Sequence, residues 1–239
     1  MKIKASLFRE YLLQVRGPKT APLEDIVIAM TKDGLNSVVQ ESGGLRRVKV
    51  FMPWPTPQDE IDTKPICLAK LQQIIAGLER FEDEEITAER EDGKFVMRGG
   101  RKRFAVPELS DQFINPGREF SEEGMAIVAI KEEMLEELLD DMRLIGDNSV
   151  VTLTQSGGKL ATHVASGECM SVFDTTFEIP AETPDFSIAF RLSNFCVFNM
   201  VEGDAEITVK SNYPMKIKYK TEDNIEVEYW LAPHIDKKD

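Results

Sequence analysis

One unit occurs four times in this chain, and that repetition limits what the chain can fold into. Its order is an amphipathic helix, a polar break, a strand, a tight turn and a second strand. The first helix is LFREYLLQV, with Leu7, Phe8, Tyr11, Leu12 and Val15 on one face; DIVIAM, the turn KDG and LNSVVQ follow. The second is LAKLQQIIAGLERF (Leu68, Leu71, Ile74, Ile75, Leu78), then EEITAER, EDG and KFVMRGG. The third is KEEMLEELLDDMRLIG (Met134, Leu135, Leu138, Leu139, Met142), then VVTLTQ, SGG and KLATHVAS. The fourth is RLSNFCVFNMV, then AEITVK, SNYP and MKIKYK. Apolar residues at i, i+3 and i+4 mark the buried face of a helix, and alternation around turn residues marks a hairpin. The units begin at Leu7, Leu68, Glu132 and Arg191, a spacing of 61, 64 and 59 residues. Each adds a further β-run closed by a proline, at Pro53, Pro107, Pro180 and Pro233, and proline cannot continue a ladder.

The only long stretch outside this grammar is PELSDQFINPGREFSEEG, residues 107–124. It divides the chain into an N-terminal domain, 1–106, and a C-terminal domain, 125–239, of two units each. Leu109, Phe113 and Ile114 give the stretch apolar side chains that dock, so it reads as an interdomain connector and not as a flexible tether. Four helices with four sets of strands predict an α+β fold: two similar domains, each with two helices on one face of β-sheet. With 42% apolar residues among 239, core material is ample.

Composition narrows the function. Cys67, Cys169 and Cys196 are far apart and form no CxxC pair, which points to neither a disulfide framework nor a zinc site. Arg9 and Glu10 interrupt what would be the apolar run of a signal peptide. No apolar stretch reaches the ~20 residues of a spanning helix. We expect a soluble protein of a reducing compartment with no membrane contact. The net charge is −13, from 29 basic and 42 acidic residues. Residues 1–115 hold 18 of each sign, and residues 116–239 hold 11 basic and 24 acidic. Such a chain repels nucleic acid at long range, so any contact with it is local.

The candidate chemistry is thin. His163 and His234 are 71 residues apart, with no Ser or Cys motif beside them. SGGK at 156–159 lacks the upstream glycine of a phosphate loop, and Leu160 stands where Ser or Thr would bind magnesium; it reads as a hairpin turn. EDEE at 82–85 reads as a solvated loop between a helix and a strand. We expect no catalytic residues, no metal and no cofactor: a protein that is not an enzyme.

Three stretches carry a family resemblance: YWLAPHID at the C-terminus, Pro-Met-Lys-Ile-Lys-Tyr at 214–219, and DMRLIGD at 141–147. With the four-unit layout, they resemble the DNA sliding clamps of the PCNA type found in archaea and eukaryotes. The resemblance implies a DNA-clamp fold closing into a six-domain ring as a trimer around double-stranded DNA, held without sequence preference. It implies a processivity factor that tethers DNA polymerase, clamp loader, ligase and flap nuclease through their PIP-box motifs, in a cytoplasmic, nucleoid-associated setting (nuclear in a eukaryote). Leu45, Pro214, Trp230, Ala232 and Pro233 match the family's PIP-box pocket, and Phe113 and Ile114 fall in the connector over that groove. On this reading Trp230 belongs to a contiguous exposed apolar patch. Arg16, Lys70, Arg143 and Arg191 are the expected DNA-facing residues.

The third helix departs from the family pattern. It carries Glu132, Glu133, Glu136, Glu137, Asp140 and Asp141 against Lys131 and Arg143. Across the four predicted helices, taken as residues 7–16, 67–80, 131–145 and 191–202, seven basic residues stand against nine acidic ones. A homotrimer with loose DNA contact, one subunit of a heterotrimer, and a clamp-fold scaffold that does not load on DNA all remain open. For the subunit interface, the resemblance pairs the edge strand bearing Arg101 and Arg103 with a neighbour's strand bearing Asp174 and Glu178. Opposite charge on two different edges favours a head-to-tail contact.

Overall fold

Each repeat opens with a short strand that the sequence pattern does not announce. In the computed structural model, which describes all residues except 20–21, 42, 57–61, 111–116, 146–148, 167–171 and 236–239, the first repeat is β1 (Lys2–Lys4), α1 (Ala5–Arg16), β2 (Ile26–Met30), β3 (Gly34–Gln40) and β4 (Arg46–Pro53). The second is β5 (Ile66–Leu68), α2 (Leu71–Glu79), β6 (Glu85–Glu91), β7 (Lys94–Gly99) and β8 (Lys102–Pro107). The third is β9 (Ala126–Ile130), α3 (Glu132–Ile145), β10 (Ser149–Ser156), β11 (Lys159–Ser166) and β12 (Val172–Glu178). The fourth is β13 (Phe186–Arg191), α4 (Leu192–Phe195) with a 3-10 turn over Cys196–Met200, β14 (Ala205–Val209), β15 (Met215–Lys220) and β16 (Glu226–Leu231).

Two helix starts differ from the sequence expectation. Cys67 and Leu68 belong to β5, and α2 begins only at Leu71, because Lys70 turns the chain in the left-handed conformation at φ 57°. Arg191 ends β13 instead of opening a helix. The fourth helix is a single α-turn carried on as 3-10, which suits its β-branched and aromatic run.

The chain forms two compact units. The first comprises residues 1–42, 47–117 and 222–227, the second residues 43–46, 118–221 and 228–239. In the first, the strands run in the orders β1-β6-β7-β8 and β5-β2-β3-β4. The leading strands are exchanged: β1 pairs with β6 of the second repeat (Ile3 opposite Ile86), and β5 pairs with β2 of the first (Cys67 opposite Val27). Helices α1 and α2 pack together, burying Phe8, Tyr11, Leu12 and Val15 with Leu71, Ile74, Ile75 and Leu78. The buried Tyr11 hydroxyl meets Ser37 Oγ at 2.6 Å, and burial pushes the phenol pKa well up.

The second unit repeats the plan, with strand orders β12-β11-β10-β13 and β16-β15-β14-β9. Again β9 crosses to β14 and β13 to β10. Helix α3 lies over β10–β12 with Leu135, Leu138, Leu139 and Met142 inward, and Thr175 Oγ1 donates to Asp141 Oδ2 at 2.8 Å. The SGG turn joins β10 to β11, as its sequence predicts; Gly157 and Gly158 take φ of 58° and 78°. No helix among the described residues is long and apolar enough to cross a membrane.

Gly77 tests the packing of α2 on β8. A Cβ there would overlap the Phe104 ring, with Cζ only 2.6 Å away. Gly77→Ala is expected to lower unfolding free energy by about 1–3 kcal/mol, and Phe104→Leu in the same chain to recover part of it. A urea midpoint equal to the parent's would show that the ring moves aside freely.

Candidate partner-binding site

Strand alternation sends the side chains of β16 to two faces. Tyr229 and Leu231 are fully buried in the core, where Tyr229 stacks with Tyr219 at 6.5 Å. Trp230 and Glu228 point the other way, and Trp230 Nε1–H donates to Glu228 Oε1 at 2.9 Å. A tryptophan on the outward face would be exposed unless something covers it, yet Trp230 is only 3% exposed. The cover is the C-terminal end of the connector. The Phe120 ring lies 5.0 Å from the Trp230 ring, tilted by 32°, and meets Tyr213 edge-on at 6.3 Å. The Ser121 backbone N–H donates to the Tyr213 hydroxyl at 3.0 Å. Glu122 forms an ion pair with Lys216, whose Nζ lies 6.0 Å from the Trp230 ring centroid.

Around this cover the predicted pocket residues gather within the second unit. The Ala232 N–H donates to the Leu45 carbonyl at 2.9 Å, tying the loop at 43–46 to the C-terminal segment. Leu45 is 46% exposed; Pro214, Ala232 and Pro233 are half-buried. Beyond them the His234 N–H donates to the Ala189 carbonyl at 2.7 Å, and Ile235 stands exposed. Phe113 and Ile114 lie outside the described residues. The contiguous exposed patch expected from the sequence is therefore corrected: its apolar rim is open, but its tryptophan is roofed.

No protein-family model and no curated protein matches the chain. Solved structures do. The PCNA of A. fulgidus, solved with the C-terminal region of FEN-1 bound, matches with a TM-score of 0.79 and 17% identity over 99% of this chain and 98% of that one. The PCNA of Entamoeba histolytica matches with a TM-score of 0.74 and 12% identity over 98% of both chains. A PCNA2–PCNA3 complex from Sulfolobus tokodaii gives 0.69 and 15% identity over 98% of this chain and 99% of that one. The fold is that of a PCNA-type sliding clamp.

Two further residue sets predicted for a clamp can now be placed. Of the DNA-facing set, Lys70 and Arg191 are exposed. Arg16 is not: it is 5% exposed, and its guanidinium bonds Gln72 of α2 and the Gly17 carbonyl, so it fastens α1 to α2. Arg143 is exposed but paired with Asp140 at 2.8 Å on its own helix, and Lys131 is paired with Asp204. The outer face of α3 is thus left with Glu132, Glu133, Glu136 and Glu137.

Arg103 lies on β8, just after Arg101, and Asp174 and Glu178 lie on β12; these are outermost strands, and three of the four residues already have partners inside the chain. Arg103 pairs with Glu91, which Arg98 also holds. These hydrogen bonds, Arg98's first, keep the Glu91 carboxyl below the usual range. Asp174 meets His163 at 2.7 Å and Glu178 meets Lys159 at 3.8 Å, each pair directly opposite across β11 and β12. Side chains directly opposite on one face of an antiparallel pair are within reach of each other, which is how these partners meet. Arg101 is exposed and has no ion pair among the described residues.

Sequence reasoning missed Phe120, Tyr213 and Lys216. The signal was present in GREFSEEG: an aromatic in a polar segment with no strand or helix period of its own has to dock onto something. Because Trp230 is packed between strand and strap, Trp230→Ala is expected to cost about 3 kcal/mol of unfolding free energy. A variant with unchanged denaturation would mean that the strap adds no packing.

Proposed function

We propose that this protein is a DNA sliding clamp: a non-enzymatic ring of three chains that encircles duplex DNA and tethers replication and repair enzymes carrying PIP-box motifs. The observation that carries the reading is the clamp fold matched from end to end, over 98–99% of the chain. The A. fulgidus PCNA with FEN-1 bound supports a partner-peptide site around Leu45, Pro214, Trp230, Ala232 and Pro233. Phe113 and Ile114, Lys70 and Arg191, and the edges bearing Arg101, Arg103, Asp174 and Glu178 keep their roles as parts of this proposal. The same reading associates the protein with the chromosome.

A second reading is favoured by α3. With Lys131 and Arg143 both neutralised by neighbouring acids, that helix offers DNA only negative charge. A heterotrimer in which other subunits supply the positive charge meets this, and the PCNA2–PCNA3 neighbour is a complex of two differently named chains. Light scattering of the chain expressed alone separates the two: a trimer supports the first reading, a monomer or dimer the second.

Leu45 is exposed, so it tests the peptide site without disturbing the core. Leu45→Ser is expected to weaken a QxxLxxFF-type peptide at least about 10-fold, which is about 1.4 kcal/mol. Unchanged affinity by calorimetry would refute the assignment. For DNA, Glu137→Lys with Asp140→Lys also frees Arg143. The salt dependence of duplex binding should then steepen by up to ~0.9 log unit per added phosphate contact. A salt slope equal to the parent's would show that α3 does not face DNA.

A further inference from the structure

We propose that Phe120–Ser121–Glu122 is an internal ligand of the Trp230 site, and that the partners which displace it carry an aromatic side chain followed two residues later by a carboxylate. The inference rests on the peptide-tethering reading above and specifies the chemistry of the peptide.

The outward face of β14, β15 and β16 buries three groups that a strand normally gives to solvent. Trp230 is 3%, Lys216 6% and Thr208 1% exposed. Thr208 and Lys216 stand directly opposite each other in the β14–β15 ladder. The strap answers two of the three. Phe120 covers the indole, and the Glu122 carboxylate meets the Lys216 ammonium. Among the described residues Thr208 Oγ1 has no hydrogen-bond partner. A buried hydroxyl of this kind offers an incoming group a polar partner that the strap does not use.

The two halves of the ion pair are unequal. The Lys216 side chain is 8% exposed and the Glu122 side chain 49%. Glu122 can therefore swing into water at little cost, while any occupant that covers Lys216 again has to supply a counter-charge. A peptide that lifts the strap has to replace both groups: an aromatic for Trp230 and a carboxylate for Lys216. A polar group reaching Thr208 would add to its affinity. The chain's net charge of −13 opposes an acidic peptide at long range, so a preference for carboxylate has to arise locally, at Lys216.

Two synthetic probes test this by calorimetry on the full chain: a QxxLxxFF peptide with Glu two residues after its last Phe, and the same peptide with Gln there. The parent should bind the Glu peptide at least about fivefold tighter, a comparison that needs no variant. Lys216→Met should abolish the difference. Glu122→Gln should strengthen the Glu peptide several-fold more than the Gln peptide, because the internal competitor for Lys216 is gone. Phe120→Ala should strengthen both. Equal affinities of the parent for the two peptides would overturn the carboxylate rule. Weaker binding of both to Phe120→Ala would overturn the internal ligand, making Phe120 a fixed wall instead. If neither peptide binds the parent, the tethering reading itself fails, and this proposal with it.

Discussion

The exchange of leading strands is the constraint on which the rest of the structure depends. A repeat alone has an amphipathic helix and an incomplete ladder. Its own first strand pairs not with its own hairpin but with that of the repeat beside it: β1 with β6, β5 with β2, β9 with β14, β13 with β10. Helix α1 likewise packs beside α2, and its Phe8 meets Phe95 on β7 of the second repeat edge-on at 6.2 Å. The smallest assembly that satisfies both ladders and both helix faces is therefore a pair of repeats, and the chain forms two such units.

A sheet has two faces, and the helices cover only one. In the second unit the other face of β14–β16 is closed by the connector's end, an irregular segment with an aromatic where the sheet presents an aromatic and an acid where it presents a base. That solution needs no regular structure, only two side chains two residues apart. It puts the most hydrophobic outward group of the unit, Trp230, under a lid that breaks into solvent along its rim, at Leu45, Pro214, Ala232 and Pro233. Pro233 ends the ladder there, and the Ala232 N–H turns to the Leu45 loop for its acceptor.

Charge in this protein is settled locally. Arg103, Asp174 and Glu178, which from the sequence reach for a neighbouring chain, each find a partner in their own sheet, and Arg143 on α3 and Lys131 just before it each find an acid. Exposed pairs of this kind contribute little to stability, because solvent screens them. They matter here mainly because they remove charge from what the edges and the helix offer outward. A strand added at β8 or β12 would meet unpaired backbone groups and the exposed side chains of Val172 and Phe173 more than free charge.

The sequence by itself determined whatever is periodic within a short window. The four repeats, α1 and α3, the hairpin turns, and strands β4, β11 and β15 to their exact ends follow from spacing and turn residues. The α+β plan of two similar domains was legible because those local signals recur in one order, and the clamp fold because three stretches resemble the PCNA type. Tertiary structure alone decided the rest. The leading strands, as short as KIK and ICL, are too brief to show a period, and their partners lie some forty to eighty residues away. The burial of Arg16 comes from Gln72 on another helix, and the roof over Trp230 from Phe120 in a segment with no pattern. Local chemistry sets which way a side chain points; what it meets there depends on pairings between distant segments, which no window of sequence contains.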